Sequence, residues 1–101
     1  MGNFVKVCTT SEVPPGSGKS IDVNGKLVAV FNVDGSFYAI NDTCAHRGGP
    51  LGEGELDGKT VICPWHGWRY DVTTGANEFV PDLPQEQYQV KVEGDDVLVE
   101  I

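Results

Sequence analysis

Apolar and polar residues alternate in several short segments of this chain, a pattern that is typical of half-buried β-strands. The alternation is clearest in Tyr88–Val92 and Val97–Ile101. A continuous apolar segment, Leu27–Phe31, lies between two turn signals. No window shows a sustained helical period, so the pattern predicts an all-β fold.

Two dipeptides mark tight turns between the predicted strands. Asn24-Gly25 and Asp34-Gly35 favour the two-residue turns that join antiparallel strands. They predict three strands that follow one another as a meander, the last of them ending just before residue 44. The sequence therefore predicts an antiparallel sandwich or partly closed barrel.

The remaining segments are assigned by the same signals. Ser11–Ser20 is predicted as a connection because it contains two prolines and two glycines. Asp57-Gly58 and Gly94–Asp96 are predicted as turns. The predicted strands are Phe4–Cys8, Ile21–Val23, Leu27–Phe31, Phe37–Ile40, Thr60–Ile62, Arg69–Val72, Glu78–Val80, Tyr88–Val92 and Val97–Ile101.

Length and charge limit the classes of function. A chain of 101 residues predicts one domain, spanning residues 1–101. A net charge of −8 argues against partners such as nucleic acid or an anionic membrane, both of which favour Lys and Arg. No basic start followed by a long apolar stretch is present, so neither a signal peptide nor a membrane span is expected. The predicted location is cytoplasmic.

Two short motifs carry the candidate chemistry. Cys44-Ala45-His46 and Cys63-Pro64-Trp65-His66 each combine one thiol with one imidazole, and sixteen residues separate them. Thiolates and imidazoles together are typical ligands of a transition metal. Both histidines of the chain fall in these motifs. Cys44, His46, Cys63 and His66 are therefore the predicted metal ligands.

The spacing of these four residues resembles the signature of Rieske-type [2Fe–2S] proteins. The likeness continues through Gly67-Trp68, Tyr70-Asp71 and Thr74-Gly75, and it covers nearly the whole chain. The resemblance implies a Rieske fold in which two cluster-binding loops lie at one tip. It also implies a [2Fe–2S] cofactor, with Cys44 and Cys63 on one iron and His46 and His66 on the other.

Departures from the family pattern indicate which branch the chain resembles. Members from respiratory complexes carry a further cysteine pair that links the two loops, and here those positions hold Gly49 and Trp65. In high-potential relatives a serine and a tyrosine donate hydrogen bonds to the cluster. Trp68 replaces the serine, whereas Tyr70 retains the tyrosine. The chain thus resembles the soluble, low-potential Rieske ferredoxins that serve multicomponent oxygenases.

The resemblance implies a soluble one-electron carrier. Its expected partners are a flavin-type reductase, as donor, and a terminal oxygenase or similar oxidoreductase, as acceptor. Oxygenase chemistry within this chain would need a mononuclear iron site with two further histidines, and none remain. We therefore expect an electron-transfer component rather than an enzyme. The alternatives are a small subunit of an assimilatory nitrite reductase and a structural Cys₂His₂ zinc domain.

Residues other than the predicted ligands leave two further questions open. Cys8 lies outside the motifs and is interpreted as an inert residue at the end of a strand, although a fifth ligand or a redox thiol is the alternative. Arg47 and Arg69 flank the predicted ligands in an otherwise acidic chain. They are either ordinary solvated cations or contacts for an acidic partner.

Overall fold

The computed structural model describes residues 3–23, 25–43, 50–64, 67–78 and 85–100. Within these ranges the chain forms ten β-strands and two short 3₁₀ helices, at Thr10–Glu12 and Leu51–Glu53. The strands are β1 (Phe4–Thr9), β2 (Ser17–Val23), β3 (Lys26–Val33), β4 (Ser36–Asn41), β5 (Glu55–Asp57), β6 (Thr60–Ile62), β7 (Arg69–Asp71), β8 (Gln87–Tyr88), β9 (Val90–Glu93) and β10 (Asp96–Glu100). The prediction of an all-β fold is confirmed.

Three antiparallel sheets make up the described structure. A central four-stranded sheet has the order β2-β3-β4-β8, and two three-stranded sheets have the orders β1-β10-β9 and β5-β6-β7. The meander of β2, β3 and β4 is the one predicted from the sequence. At its second turn, Asp34 and Gly35 both adopt positive φ, 52° and 93°. This left-handed geometry matches the twist of the flanking strands, as the dipeptide predicts.

Strand β3 is buried on both faces and divides the hydrophobic interior into two parts. Val28 and Val30 point to one side, whereas Ala29 and Phe31 point to the other, and all four are fully buried. We call the first side the basal core; its buried members are Cys8, Val13, Val23, Val28, Val30, Ala39, Tyr88, Val97 and Val99. We call the second side the loop-side core; its buried members are Ala29, Phe31, Ile40, Leu51, Val61, Cys63, Tyr70 and Val72.

The predicted connection at Ser11–Ser20 was partly wrong. Thr10–Glu12 forms a 3₁₀ helix, and Ser17 already pairs with Asn32 as the first residue of β2. This strand lies at the edge of its sheet, where backbone pairing with β3 holds a polar, glycine-containing segment extended. Only the short stretch through Gly16, with φ of 82°, turns between the two elements.

Two other strand predictions need correction, and one strand was not predicted. Tyr88–Val92 is interrupted at Gln89, and its two halves lie in different sheets, which leaves Val92 45% exposed. Glu78 forms a bend instead of a strand, while the rest of the segment predicted to start there lies outside the described residues. Glu55–Asp57 forms a strand that the sequence did not reveal, because three residues are too few for an alternation to be recognised.

Two further turns and the length of the helices complete the description of the fold. Gly58 and Gly94 adopt positive φ, 62° and 61°, in the two further turns that the sequence predicted. In the described part of the chain, no helix is long and apolar enough to cross a membrane.

Candidate metal centre

The first predicted loop is closed at its base by backbone contacts. Thr43 and Pro50 form an isolated antiparallel bridge on either side of residues 44–49, which lie outside the described residues. The Leu51 N–H donates to the Asp42 carbonyl at 2.8 Å. Residues that enter and leave the loop are therefore held side by side.

A buried carboxylate fixes the exit of this loop against β2. Asp42 is only 3% exposed, and its Oδ1 accepts bonds from the Ser20 hydroxyl and the Gly52 N–H, both at 2.7 Å. A Cβ on Gly52 would lie 2.5 Å from the Ser20 nitrogen, so the close approach requires glycine here. Charge-assisted hydrogen bonds of this kind are stronger than neutral ones.

A buried amide fixes the entrance of the same loop from the other side. Gln85 is 6% exposed, and its Nε2 donates to the carbonyl oxygens of Asn41, at 2.8 Å, and Thr43, at 2.6 Å. Sequence reasoning missed both Gln85 and Asp42. Neither residue belongs to a motif, and their partners are 42 to 44 and 10 to 22 positions away.

The second predicted loop closes the hairpin of β6 and β7. The Cys63 N–H donates to the Trp68 carbonyl at 2.6 Å, directly beyond the paired residues Ile62 and Arg69. Gly67 adopts a φ of 74°, in the left-handed region that favours glycine. The loop is thus short and closed tightly at its base.

Of the four predicted ligands, the structure describes Cys63. This residue is 1% exposed and belongs to the loop-side core, together with Leu51 from the far end of the first loop. The bases of the two loops therefore lie on the same side of the central sheet. Cys44, His46 and His66 lie outside the described residues.

Two aromatic residues pack in the same core as Cys63, at the base of the second loop. Tyr70 is fully buried in the loop-side core, and Trp68 packs against that core while partly exposed. This packing removes water from around Cys63 and lowers the local dielectric. The neighbouring Arg69 is exposed and faces solvent.

The second buried cysteine has a different setting. Cys8 lies in the basal core, on the opposite side of the central sheet, and is a free thiol. Burial, and then the charge of Glu12, raise the pKa of this thiol. A raised pKa favours the neutral thiol, which neither binds metal nor reacts readily.

Comparison with known proteins identifies the family. The model of the Rieske [2Fe-2S] domain matches residues 3–93. The chain belongs to this Rieske family. A biphenyl dioxygenase ferredoxin subunit from Pseudomonas sp. (strain KKS102) is 41% identical over 99 residues, which cover 96% of this chain and 91% of the relative.

Solved structures of Rieske ferredoxins have the same fold. The ferredoxin of carbazole 1,9a-dioxygenase from Nocardioides aromaticivorans IC177 is 35% identical, with a TM-score of 0.88 and 96% of each chain covered. A second match is in a complex of reduced oxygenase and oxidized ferredoxin in carbazole 1,9a-dioxygenase. It is 36% identical, with a TM-score of 0.88, and covers 96% of this chain and 92% of that one.

Family membership establishes the cofactor and the type of activity. The cofactor is a Rieske-type [2Fe–2S] cluster, and the chain is an electron-transfer component rather than a catalytic one. The donor set agrees with this cofactor, because a Rieske cluster takes two thiolates and two imidazoles. The buried, apolar surroundings of Cys63 are also suited to a thiolate–metal bond.

Proposed function

We propose that Cys44 and Cys63 bind one iron of the [2Fe–2S] cluster and that His46 and His66 bind the other. The observation that carries this assignment is the burial of Cys63 in the same core as Leu51, which brings the bases of both motif-bearing loops together. We extend the proposal to the whole chain, residues 1–101, as a single Rieske domain in the cytoplasm.

The bound cluster would supply one-electron chemistry. The residues of this chain bind it, exclude water from it and fix its orientation. Cys63 provides a ligand from a hairpin closed at Trp68, while Asp42 and Gln85 hold the two ends of the first loop. Fixed loop ends and a buried Cys63 suit rapid electron transfer, because few groups must rearrange when the charge changes.

The proposed partners are a flavin-type reductase as donor and a terminal oxygenase as acceptor. Two findings support the proposed acceptor: a relative with 41% identity is named as a dioxygenase ferredoxin subunit, and a similar ferredoxin was solved in complex with an oxygenase. The same findings favour this function over the small subunit of a nitrite reductase.

Metal analysis tests the ligand assignment. Protein purified without oxygen should be brown and contain two irons and two acid-labile sulfides per chain, as one [2Fe–2S] cluster requires. His46→Ala and His66→Ala should each lose the cluster, because each would remove a ligand. Stoichiometric zinc without sulfide would contradict the proposal, and so would either alanine variant with a full cluster.

Reconstitution tests the proposed acceptor. The reduced protein should be oxidised rapidly by an aromatic-ring dioxygenase component in the presence of substrate and oxygen. The control replaces the oxygenase with a nitrite reductase and nitrite. Oxidation that depends on nitrite, and not on the oxygenase, would contradict the proposed acceptor.

A further inference from the structure

Gln85 holds the residue that precedes the first predicted ligand. Its Nε2 carries two hydrogens and donates to two carbonyl oxygens, of Asn41 at 2.8 Å and Thr43 at 2.6 Å. The Thr43 carbonyl belongs to the peptide group that joins Thr43 to Cys44. Because a peptide group is planar, fixing its oxygen restricts the rotation of the whole unit.

The backbone around Gln85 is itself held firmly. Its N–H donates to the Gly75 carbonyl at 2.7 Å, and a Cβ on Gly75 would lie 2.4 Å from the Gln85 carbonyl oxygen. The next residue, Glu86, accepts a bond from the Asn41 N–H at 2.8 Å. The amide of Gln85 is thus presented to Asn41 and Thr43 from a fixed position.

The same contacts lead to the hairpin that carries the second loop. The Gly75 N–H donates to the carbonyl of Asp71, the last residue of β7, at 2.7 Å. A continuous series of hydrogen bonds therefore connects Asp71, Gly75, Gln85 and Thr43. It joins the hairpin of Cys63 to the residue before Cys44.

We propose that Gln85 is a positioning residue for the cluster, because it holds Thr43, at the entrance of the first loop, in a fixed relation to the hairpin that carries Cys63. The inference rests on the proposed ligand set. Outer contacts that orient metal ligands change the affinity and the electronic properties of a metal site. A primary amide suits this role, because it supplies two donors from one nitrogen, whereas a carboxylate of the same size supplies none when ionised.

The chain offers a matched control, two residues along. Gln87 is exposed, and its Nε2 donates to the Thr73 carbonyl, in the turn after β7. Gln85→Leu and Gln87→Leu each remove a side-chain amide. Only Gln85→Leu removes hydrogen bonds from the entrance of the first loop. Gln85→Asn retains the amide on a shorter side chain and serves as a second variant if Gln85→Leu does not fold.

The experiment compares the EPR spectrum of the reduced cluster, the midpoint potential and the rate of cluster loss to a chelator. In Gln85→Leu we expect altered g-values, a shifted potential and about tenfold faster cluster loss, the lower range for loss of an outer contact. Gln85→Asn should change in the same direction, and Gln87→Leu should match the wild type.

The possible results separate this inference from the proposed function. A Gln85→Leu or Gln85→Asn variant that melts at a lower temperature but keeps the wild-type EPR spectrum and potential would overturn the positioning role. Equal effects in Gln87→Leu would overturn it as well. A wild-type protein without iron and sulfide would instead contradict the proposed function itself.

Discussion

The basal core and the loop-side core lie against opposite faces of the same sheet, but they are built differently. The basal core is closed by β1 and β10, strands of six and five residues. The loop-side core is closed by β5, β6 and β7, which have three residues each. Short strands contribute little pairing of their own.

Polar contacts and glycines hold the loop-side core together where the short strands form few backbone hydrogen bonds. Asp42 and Gln85 hold the first loop, and Gly52 and Gly54 allow backbones to approach where a Cβ would lie 2.5 Å and 2.2 Å from the nearest atom. We infer that the basal core can fold without metal, whereas the loop-side core depends on the cluster for part of its stability.

The largest expected effect comes from the two buried cysteines, one in each core. Cys63→Ser should abolish the cluster, because it removes a thiolate ligand from the loop-side core. Cys8→Ser should retain it, at a cost of about 1 kcal/mol in unfolding free energy for a hydroxyl in the basal core. Iron and sulfide content, together with chemical denaturation, measures both effects. Loss of the cluster in Cys8→Ser would contradict the expectation that the cluster depends on the cysteine of the loop-side core and not on that of the basal core.

Removal of the cluster should affect the two cores unequally. In the apo protein we expect faster amide exchange in β6, β7 and the segment around Leu51, because ligand binding helps to organise the loop-side core. Exchange in β1 and β10 should be close to that of the holo protein. Hydrogen exchange with mass spectrometry compares the two forms directly. Uniform loss of protection, or no loss anywhere, would contradict the inference.

A smaller effect is expected from surface charge. No carboxylate in the described part of the chain lies within ion-pair distance of Arg69, whereas Lys6 on the basal side pairs with Asp96 at 3.2 Å. If Arg69 contacts an acidic partner, Arg69→Gln should slow electron transfer about threefold at low ionic strength, and salt should remove the difference.

Lys6→Gln is the control, since it removes the same charge far from the loops. Stopped-flow reduction and oxidation across a range of ionic strength measures both variants. Equal rates for Arg69→Gln and the wild type at every salt concentration would leave Arg69 as an ordinary solvated cation.

The smallest effect concerns a surface ion pair on the basal side. Glu12 accepts a bond from Lys19 at 2.7 Å, and this bond, with further bonds from Thr9, lowers the pKa of Glu12 to about 2. Because folding lowers the pKa of Glu12, the ionised carboxylate stabilises the folded protein at pH values above the unfolded-state pKa. That stabilisation is lost as the pH falls from about 4.5 to about 2.

The contribution should be small because the pair is exposed to solvent. Glu12→Gln should therefore be slightly less stable than the wild type at pH 7, and the two should converge near pH 2. Urea denaturation of the apo proteins at several pH values tests this. A difference that persists unchanged at pH 2 would exclude the ionised carboxylate as its cause.

Local signals in the sequence predicted much of the central sheet. The dipeptides at 24–25 and 34–35 fix the register of β2, β3 and β4 because they require particular turns. The ligand motifs could also be recognised from the sequence, since the spacing of thiols and imidazoles is a property of the chain itself. The likeness to Rieske proteins added the fold around them.

Features that depend on contacts with residues distant in the sequence could not be predicted from the sequence. Ser17–Ser20 becomes a strand only because β3 pairs with it, and Gln89 interrupts a predicted strand because its two halves join different sheets. Gln85 is the clearest case. Its partners are more than 40 residues away, so nothing in its own neighbourhood distinguishes it from Gln87.

The burial of β3 on both faces also has a consequence for how the chain folds. Leu27–Val33 carries no charge, and an uncharged apolar strand of this length tends to aggregate while it is unpaired. Both of its partners adjoin it through short turns, so the two hairpins can form early from local contacts. Pairing of β1 with β10 joins residues 4 and 100 and carries a much larger loop-closure entropy. We therefore expect the most aggregation-prone strand to be covered first, before the ends of the chain meet.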